Sequence, residues 1–250
     1  MMPPLVFPDL TVYLATCLIL MAAQMVYVLF GFGAGLIAVG SLALIYPDMQ
    51  DVVVMLLLVN LPAELWVVLH SRREIRWRPI LGLGSGIALG IPAGTWLLKT
   101  GDPELILTIL GVFLIAVGLV FLRLPAAGTV KPKAVLAPPT GLVSGLLTGL
   151  FGTGGPPLII WYQLSASTKA AFRGNLMTIF LMMTFVRVPS YVVGGLVTVP
   201  RLWSSLAVMP AVLLGAWVGN RLHLSISERR FRTLVSILLV ILGLLQVVHC

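Results

Sequence analysis

The stretch of this sequence best suited to chemistry is a glycine- and proline-rich break, Gly149-Leu-Phe-Gly-Thr-Gly-Gly-Pro-Pro157. It cannot continue a helix, because glycine adopts unusual backbone angles and proline removes a donor and clashes with the preceding turn. The surrounding run is apolar, and unpaired backbone amides are tolerated there only in packed protein or around a polar cavity. A helix that starts at such a break directs its N–H groups and its positive dipole end into that cavity. The break therefore predicts anion binding by the amides of Thr153, Gly154 and Gly155, with the Thr153 hydroxyl as a further donor.

A second break lies in the first half of the chain, in Gly31-Phe-Gly-Ala-Gly35. Phe32-Gly33-x-Gly35 aligns with Phe151-Gly152-x-Gly154, so Gly33, Ala34 and Gly35 would supply amides in the same way. The structural alternative is that both sets of glycines only permit tight helix packing. Two interrupted hydrophobic segments at corresponding places of two half-chains favour a transporter binding site instead.

Arg187 is the second chemical signal, because it lies in the middle of an apolar span. A charge there costs roughly 2.5–3.5 kcal/mol on insertion scales, so such a residue usually faces the protein interior or a watery path. Its counterpart in the first half is Glu64. Two interpretations stay open: a structural pair, or an Arg187 that meets the substrate anion while Glu64 takes a coupling proton. Pro62 and Pro189 lie close by and predict kinks in both helices.

Other candidates are weaker. Asn175 and Gln163 could line a cytoplasmic entrance, although a lone amide is more often a packing residue. The three histidines fall at span ends and the two cysteines stand far apart, so no metal site is expected. The sequence contains no hydrolase set and no Walker motif, so we expect neither an enzyme nor a bound cofactor.

Composition places the whole chain in the membrane. Of its 250 residues 59% are hydrophobic and only 10% are charged, with a mean hydropathy of +1.09, whereas soluble domains carry about 25% charged residues. The net charge of +8 comes from basic residues in short loops. This pattern is typical of positive-inside topology and argues against nucleic acid as a partner.

The elements that must position the two breaks form two similar halves. We expect a repeat over 1–125 and another over 126–250, each a broken helical hairpin plus three transmembrane helices. The chain would then have about eight hydrophobic segments, all α-helical: 10–46 (broken), 52–69, 79–98, 105–122, 134–165 (broken), 174–195, 203–220 and 233–249. A matched Gly-x-x-x-Gly supports the duplication, since Gly90 and Gly94 correspond to Gly215 and Gly219. This spacing lets helices approach closely.

Charge predicts the orientation. Placing the loops at 70–78, 123–133, 164–173 and 221–232 in the cytoplasm accounts for all but three of the 16 Lys and Arg residues. The exceptions are Arg187 in the membrane and Lys99 and Arg201, on the outer side with Asp48 and Asp51. The second broken run then begins and ends inside. If the first does the same from outside, the repeats are inverted, which is the architecture of many secondary transporters. Eight simple crossings in parallel halves would place a basic loop outside.

These motifs resemble those of the TauE/SafE sulfite-exporter family, also called the 4-toluene sulfonate uptake permeases. The resemblance covers nearly the whole chain and rests on Gly31–Gly35, Gly149–Pro157 and the four-plus-four hydrophobic pattern. It implies a multi-pass carrier in the bacterial inner membrane for sulfite or organosulfonate anions. The central site that it implies consists of Phe32, Gly33, Ala34, Gly35, Gly152, Thr153, Gly154, Gly155 and Pro156.

Together these observations predict a secondary transporter that moves a small sulfur-containing anion by alternating access, with export as the expected direction. The substrate would lie between the two broken hairpins, with Arg187 completing the positive field. Two alternatives are a passive anion channel and a non-transporting component of a membrane assembly. The expected partners are the anion and the lipid bilayer, with a homodimer as an open option.

Overall fold

The computed structural model describes residues 5–30, 33–70, 77–123, 132–165, 169–221 and 228–249, and within these ranges it contains helices and no strand. The α-helices are α1 (Leu10–Phe30), α2 (Ala34–Leu42), α3 (Met49–His70), α4 (Trp77–Thr100), α5 (Pro103–Arg123), α6 (Ala137–Phe151), α7 (Gly155–Ser165), α8 (Lys169–Val193), α9 (Val199–Arg221) and α10 (Glu228–His249). A short 3₁₀ turn, Ala134–Leu136, leads into α6. Of the four predicted cytoplasmic loops, the stretches 71–76, 124–131, 166–168 and 222–227 lie outside the described residues.

Length and composition confirm the predicted class, an all-α polytopic membrane protein. Within the described ranges six helices are long and apolar enough to cross a membrane, and Met49–Pro62 and Arg232–Val248 are shorter apolar segments. By contrast, α2 and α7 have only nine and eleven residues, fewer than the roughly 20 that a spanning helix needs. Both short helices follow directly on a glycine break.

Three aspartates cap the starts of helices. A carboxylate oxygen of Asp9 accepts from the N–H of Val12 at 2.8 Å, and one of Asp102 accepts from the N–H of Leu105 at 3.0 Å. Asp48 caps α3 in the same manner. Such caps satisfy N–H groups that the first helical turn leaves free.

The chain forms two compact units, and each combines helices from both sequence halves. One unit contains Met1–Val59, Gly101–Arg123 and Val197–Cys250, and we call it the Arg201 unit. The other contains Asn60–Thr100 and Leu124–Leu196, and we call it the Arg187 unit. The division of the sequence into repeats at 1–125 and 126–250 stays a prediction.

In the Arg187 unit, α4 packs closely along α6. A Cβ atom added at Gly90 would collide with the carbonyl oxygen of Leu142, and one at Gly94 would collide with that of Leu146. Only glycine permits this approach. The contacts advance in the same direction along both helices, so α4 and α6 run parallel.

The second broken run is a hairpin within this unit. Gly84 contacts Met182 and Gly194 contacts Thr95, so α8 also runs parallel to α4. Because only three residues separate the end of α7 at Ser165 from the start of α8, α7 ends at the end of the unit where α4, α6 and α8 begin. The chain therefore enters through α6 and returns through α7 to the end from which it came.

The first broken run follows the same course in the Arg201 unit. Gly215 and Gly219 of α9 pack on the backbone of Met21 and Met25 in α1, so α1 and α9 run parallel. After α2 the chain reaches Asp48, which is bonded to Arg201 at the start of α9. Thus α1 begins and α2 ends at one end of this unit. The inverted relation of the two repeats stays a prediction.

Ion pairs hold that end together. The Nε of Arg201 lies 2.6 Å from a carboxylate oxygen of Asp51, and its Nη2 lies 2.9 Å from one of Asp48. Its Nη1 donates to the side chain of Gln50 at 3.2 Å. This cluster joins the starts of α3 and α9, and its members are residues that the charge pattern placed together on the outer side.

Candidate functional site

The second break reverses the chain within three residues. Gly152 ends α6 with a φ of 69°, in the left-handed region that favours glycine, and its N–H donates to the carbonyl of Thr148 at 2.9 Å. Gly154 is pressed against α6, because a Cβ atom there would collide with the carbonyl oxygen of Ser144. The Ser144 hydroxyl also donates to the carbonyl of Gly154. The sequence prediction of a helix break is confirmed at Gly152–Gly154.

The break leaves buried backbone donors without acceptors. Thr153, Gly154 and Gly155 are buried residues, and their N–H groups donate no hydrogen bond within the described part of the chain. Pro156 and Pro157 follow in the first turn of α7 and have no N–H to offer. Buried amides of this kind are almost always paired in native proteins. The geometry therefore offers three donors to a small acceptor group.

Arg187 of α8 lies at the same break. The residue is only 3% exposed, and its Nη1 donates to the carbonyl of Gly152 at 2.8 Å. Its Nε is buried and has no partner among the described residues. The guanidinium thus satisfies the C-terminal end of α6, where the helix dipole favours a cation, and it keeps one buried donor unused.

Tyr191 supports the arginine from the next turn of α8. The Cζ of Arg187 lies 5.8 Å from the centre of the Tyr191 ring, a cation–π arrangement. The Tyr191 hydroxyl donates to the carbonyls of Thr148 and Gly149 at 3.2 and 3.3 Å. We did not identify Tyr191 from the sequence. Its position four residues after Arg187, on the same helix face, is the signal that could have indicated it.

Glu64 lies in the same unit, on the part of α3 that belongs to it. It is 6% exposed, and its Oε2 accepts from the hydroxyl of Thr184 at 2.8 Å. Thr184 is three residues before Arg187 and shares its helix face. Among the described residues no ion pair joins Glu64 to Arg187. Glu64 instead bonds to Thr184, which lies one helical turn before Arg187 on α8.

The first break belongs to the Arg201 unit. Gly33 has a φ of 92° and precedes α2, and its carbonyl accepts from the N–H of Ile37 at 3.0 Å. Ala34 is buried and Gly35 is partly buried, both in the first turn of α2. Phe32, which the resemblance added to the site, lies outside the described residues.

The predicted entrance residues are packed inside the Arg187 unit. Asn175 is 3% exposed and Gln163 is 9% exposed. The side-chain amide of Asn175 donates to the carbonyl of Ala171 within α8 at 2.6 Å. In this position Asn175 is a packing residue, which is the alternative predicted from the sequence for a lone amide.

Comparison with known proteins gives the family. Residues 16–245 match the family described as sulfite exporter TauE/SafE. The chain belongs to this family. The match covers most of the sequence and both helix breaks, so this protein is a multi-pass inner-membrane transporter, and the resemblance inferred from the motifs is confirmed.

Two relatives agree with this assignment. The chain is 26% identical over 197 residues to "Probable inner membrane transporter protein TsaS" of Comamonas testosteroni, covering 78% of this chain and 82% of that protein. It is 24% identical over 195 residues to "Probable sulfite/organosulfonate exporter TauE" of Cupriavidus necator, covering 76% of each. No solved structure matches the chain.

Proposed function

We propose that this TauE/SafE transporter is a secondary carrier that exports a small anion, sulfite or an organosulfonate, by alternating access. The observation that carries the proposal is the buried Arg187, whose Nη1 bonds to the carbonyl of Gly152 and whose Nε has no partner among the described residues. The three residues that follow Gly152 donate no hydrogen bond from their N–H groups within the same part of the chain. Together these groups are hydrogen-bond donors at one helix break, and the guanidinium bonded to Gly152 adds a positive charge there. An anion is the ligand that such a set favours.

The chemistry of a sulfur oxyanion fits this donor set. Sulfite and sulfonate groups each present three oxygens, so one anion can accept from the arginine and from amides of the break at the same time. Hydrogen bonds to an ionised acceptor are roughly twice as strong as neutral ones. The anion would also neutralise Arg187, whose burial in a membrane is otherwise costly. The name of the Cupriavidus relative supports the same substrate class.

The helices around the site have features that suit a moving carrier. Pro189 interrupts α8 two residues after Arg187, and Pro62 interrupts α3 two residues before Glu64. A proline within a helix frees a backbone carbonyl and permits a bend. In our proposal, bending at these positions exposes the site alternately to the two sides.

Glu64 is the proposed coupling group. Its buried carboxylate accepts a hydrogen bond from Thr184 of α8, the helix that also carries Arg187. A buried carboxyl group in a membrane protein is a common proton carrier. Proton uptake by Glu64 would remove a negative charge near Arg187 and so change the affinity of the site for an anion. This predicts that the anion flux responds to a proton gradient.

Anion binding by the purified protein tests the proposal. Sulfite, thiosulfate, sulfate, sulfoacetate, taurine and acetate are added in turn, and the midpoint of thermal unfolding is recorded, since a ligand of the folded state raises it. We expect a rise with a sulfur oxyanion that Arg187→Gln abolishes. Arg221→Gln is the matched control, because Arg221 is exposed and stacks on Trp217. Equal affinity of Arg187→Gln and the unchanged protein would remove Arg187 from the site.

Flux measurements separate a carrier from the alternative of a passive channel. In proteoliposomes, a carrier gives a saturable rate that responds to an imposed proton gradient. A channel gives a rate that rises without saturation and follows the anion gradient alone. The second result would refute the carrier mechanism but leave the anion site intact.

A further inference from the structure

Tyr162 of α7 has a buried hydroxyl that the site described above does not use. The residue is 3% exposed, and its hydroxyl has no hydrogen-bond partner among the described residues. Tyr191 in the same unit differs, since its hydroxyl donates to two carbonyls. A buried hydroxyl without a partner is unfavourable, so a native protein normally provides one or binds something there.

The position of Tyr162 connects it to the break. Tyr162 follows Gly155 by seven residues, or two helical turns, so both lie on one face of α7. A Cβ atom added at Gly155 would lie 3.4 Å from the ring of Phe180 in α8. The shared face of α7 is therefore the one that packs against α8.

The facing side of α8 continues the same line. Arg187 follows Phe180 by seven residues and shares its face. The helices α7 and α8 are antiparallel, since α7 ends and α8 begins at the same end of the Arg187 unit. Along the seam between them the order is Arg187, then Phe180 with Gly155 opposite it, then Tyr162. Tyr162 thus lies between the break and the end that charge predicts to be cytoplasmic.

We propose that the Tyr162 hydroxyl is a second donor to the transported anion, at a waypoint between α7 and α8 on the path to or from the break. This inference rests on the proposed function. The ligand is an oxyanion oxygen. A phenolic hydroxyl is an uncharged group, and it can donate a hydrogen bond to such an oxygen. Arg187 and the amides hold the anion at the break, and Tyr162 assists its passage along α7.

The test compares Tyr162→Phe with Tyr191→Phe, two substitutions that each remove one hydroxyl from a buried tyrosine of the same unit. Without anion, Tyr162→Phe should unfold at the same temperature as the unchanged protein or higher, because an unsatisfied group is lost. Tyr191→Phe should unfold at a lower temperature, because bonds to Thr148 and Gly149 are lost. With sulfite, Tyr162→Phe should keep the rise in unfolding temperature, since the break is intact. Its maximal sulfite flux in proteoliposomes should fall about tenfold, the effect of losing one hydrogen bond to a charged group.

Two results would overturn this role. Sulfite flux through Tyr162→Phe equal to that of the unchanged protein would show that the hydroxyl does not assist passage. A loss of stability without anion as large as that of Tyr191→Phe would show that the hydroxyl already serves the fold. If the unchanged protein neither binds nor moves any of the anions, the proposed function itself is refuted, and the waypoint with it.

Discussion

The neighbouring glycines Gly154 and Gly155 should respond to alanine in opposite directions. At Gly154 a Cβ atom would collide with the carbonyl oxygen of Ser144 and the hydroxyl of Thr148. The Ser144 carbonyl belongs to the backbone of α6, which cannot move away easily. Overpacking of this kind costs about 1–3 kcal/mol. The bond from the Ser144 hydroxyl to the Gly154 carbonyl would also be strained, which adds about 1 kcal/mol. We therefore expect Gly154→Ala to destabilise the protein by about 2–4 kcal/mol.

Gly155 provides the matched control. The nearest atoms to an added Cβ are the Phe180 ring at 3.4 Å and Ile159 at 3.5 Å, which is ordinary contact distance. Gly155 begins α7 and has an ordinary negative φ. Alanine costs less backbone entropy than glycine in a helix, by roughly 0.5–1 kcal/mol. Gly155→Ala should therefore be neutral or slightly stabilising.

Thermal unfolding of the two purified variants in one detergent measures this difference. Gly154→Ala should unfold at a clearly lower temperature, and Gly155→Ala at the same temperature as the unchanged protein or a higher one. An equal loss in both variants would refute the reasoning, because it would mean that glycine is required by loop flexibility and not by the contact with α6. No loss in either would show that α7 does not lie against α6 as described.

Two further perturbations test the charged residues. Glu64→Gln keeps an oxygen that can accept from Thr184, so we expect a folded protein whose anion flux no longer responds to a proton gradient; a response like that of the unchanged protein would exclude Glu64 as the coupling group. Asp51→Asn should destabilise the fold more than Asp48→Asn, because the Asp51 side chain is 19% exposed in its pair with Arg201 and that of Asp48 is 48% exposed, and exposed pairs contribute about 1 kcal/mol or less. Thermal unfolding of both variants checks this order, and a larger loss for Asp48→Asn would contradict it.

The sequence indicated the break and the buried charges because each violates a strong rule. Glycines and prolines interrupt one apolar run, and an arginine lies in the middle of another. Both features cost free energy in a membrane, so each indicates a structural or functional role. Glycine spacing likewise indicated that α4 makes a close helix contact. The sequence did not show that its partner is α6, because a small residue permits close approach to any helix.

The finer contacts of the site depend on how each helix is rotated about its axis. Whether Arg187 reaches the carbonyl of Gly152, and whether Thr184 meets Glu64, follows from the rotation of α8 within the packed unit. Tyr191 and Tyr162 illustrate the limit most directly. Both are buried tyrosines on helices next to the break, yet in the part of the chain that the structure describes one hydroxyl has two acceptors and the other has none. Sequence pattern treats these residues alike.

The structure also changes how the two interpretations of Arg187 relate to each other. A guanidinium carries five N–H donors in a fixed plane, and its faces can stack on an aromatic ring. In Arg187 the Nη1 serves the fold by bonding to Gly152, while the face lies near Tyr191 and the Nε is unused. A structural role and the proposed ligand role therefore do not exclude each other, since different atoms of one side chain would perform them. The same fixed plane that holds the end of α6 then places the unused donor at the break, so the strength of anion binding should depend on how firmly Gly152 and Tyr191 hold the arginine.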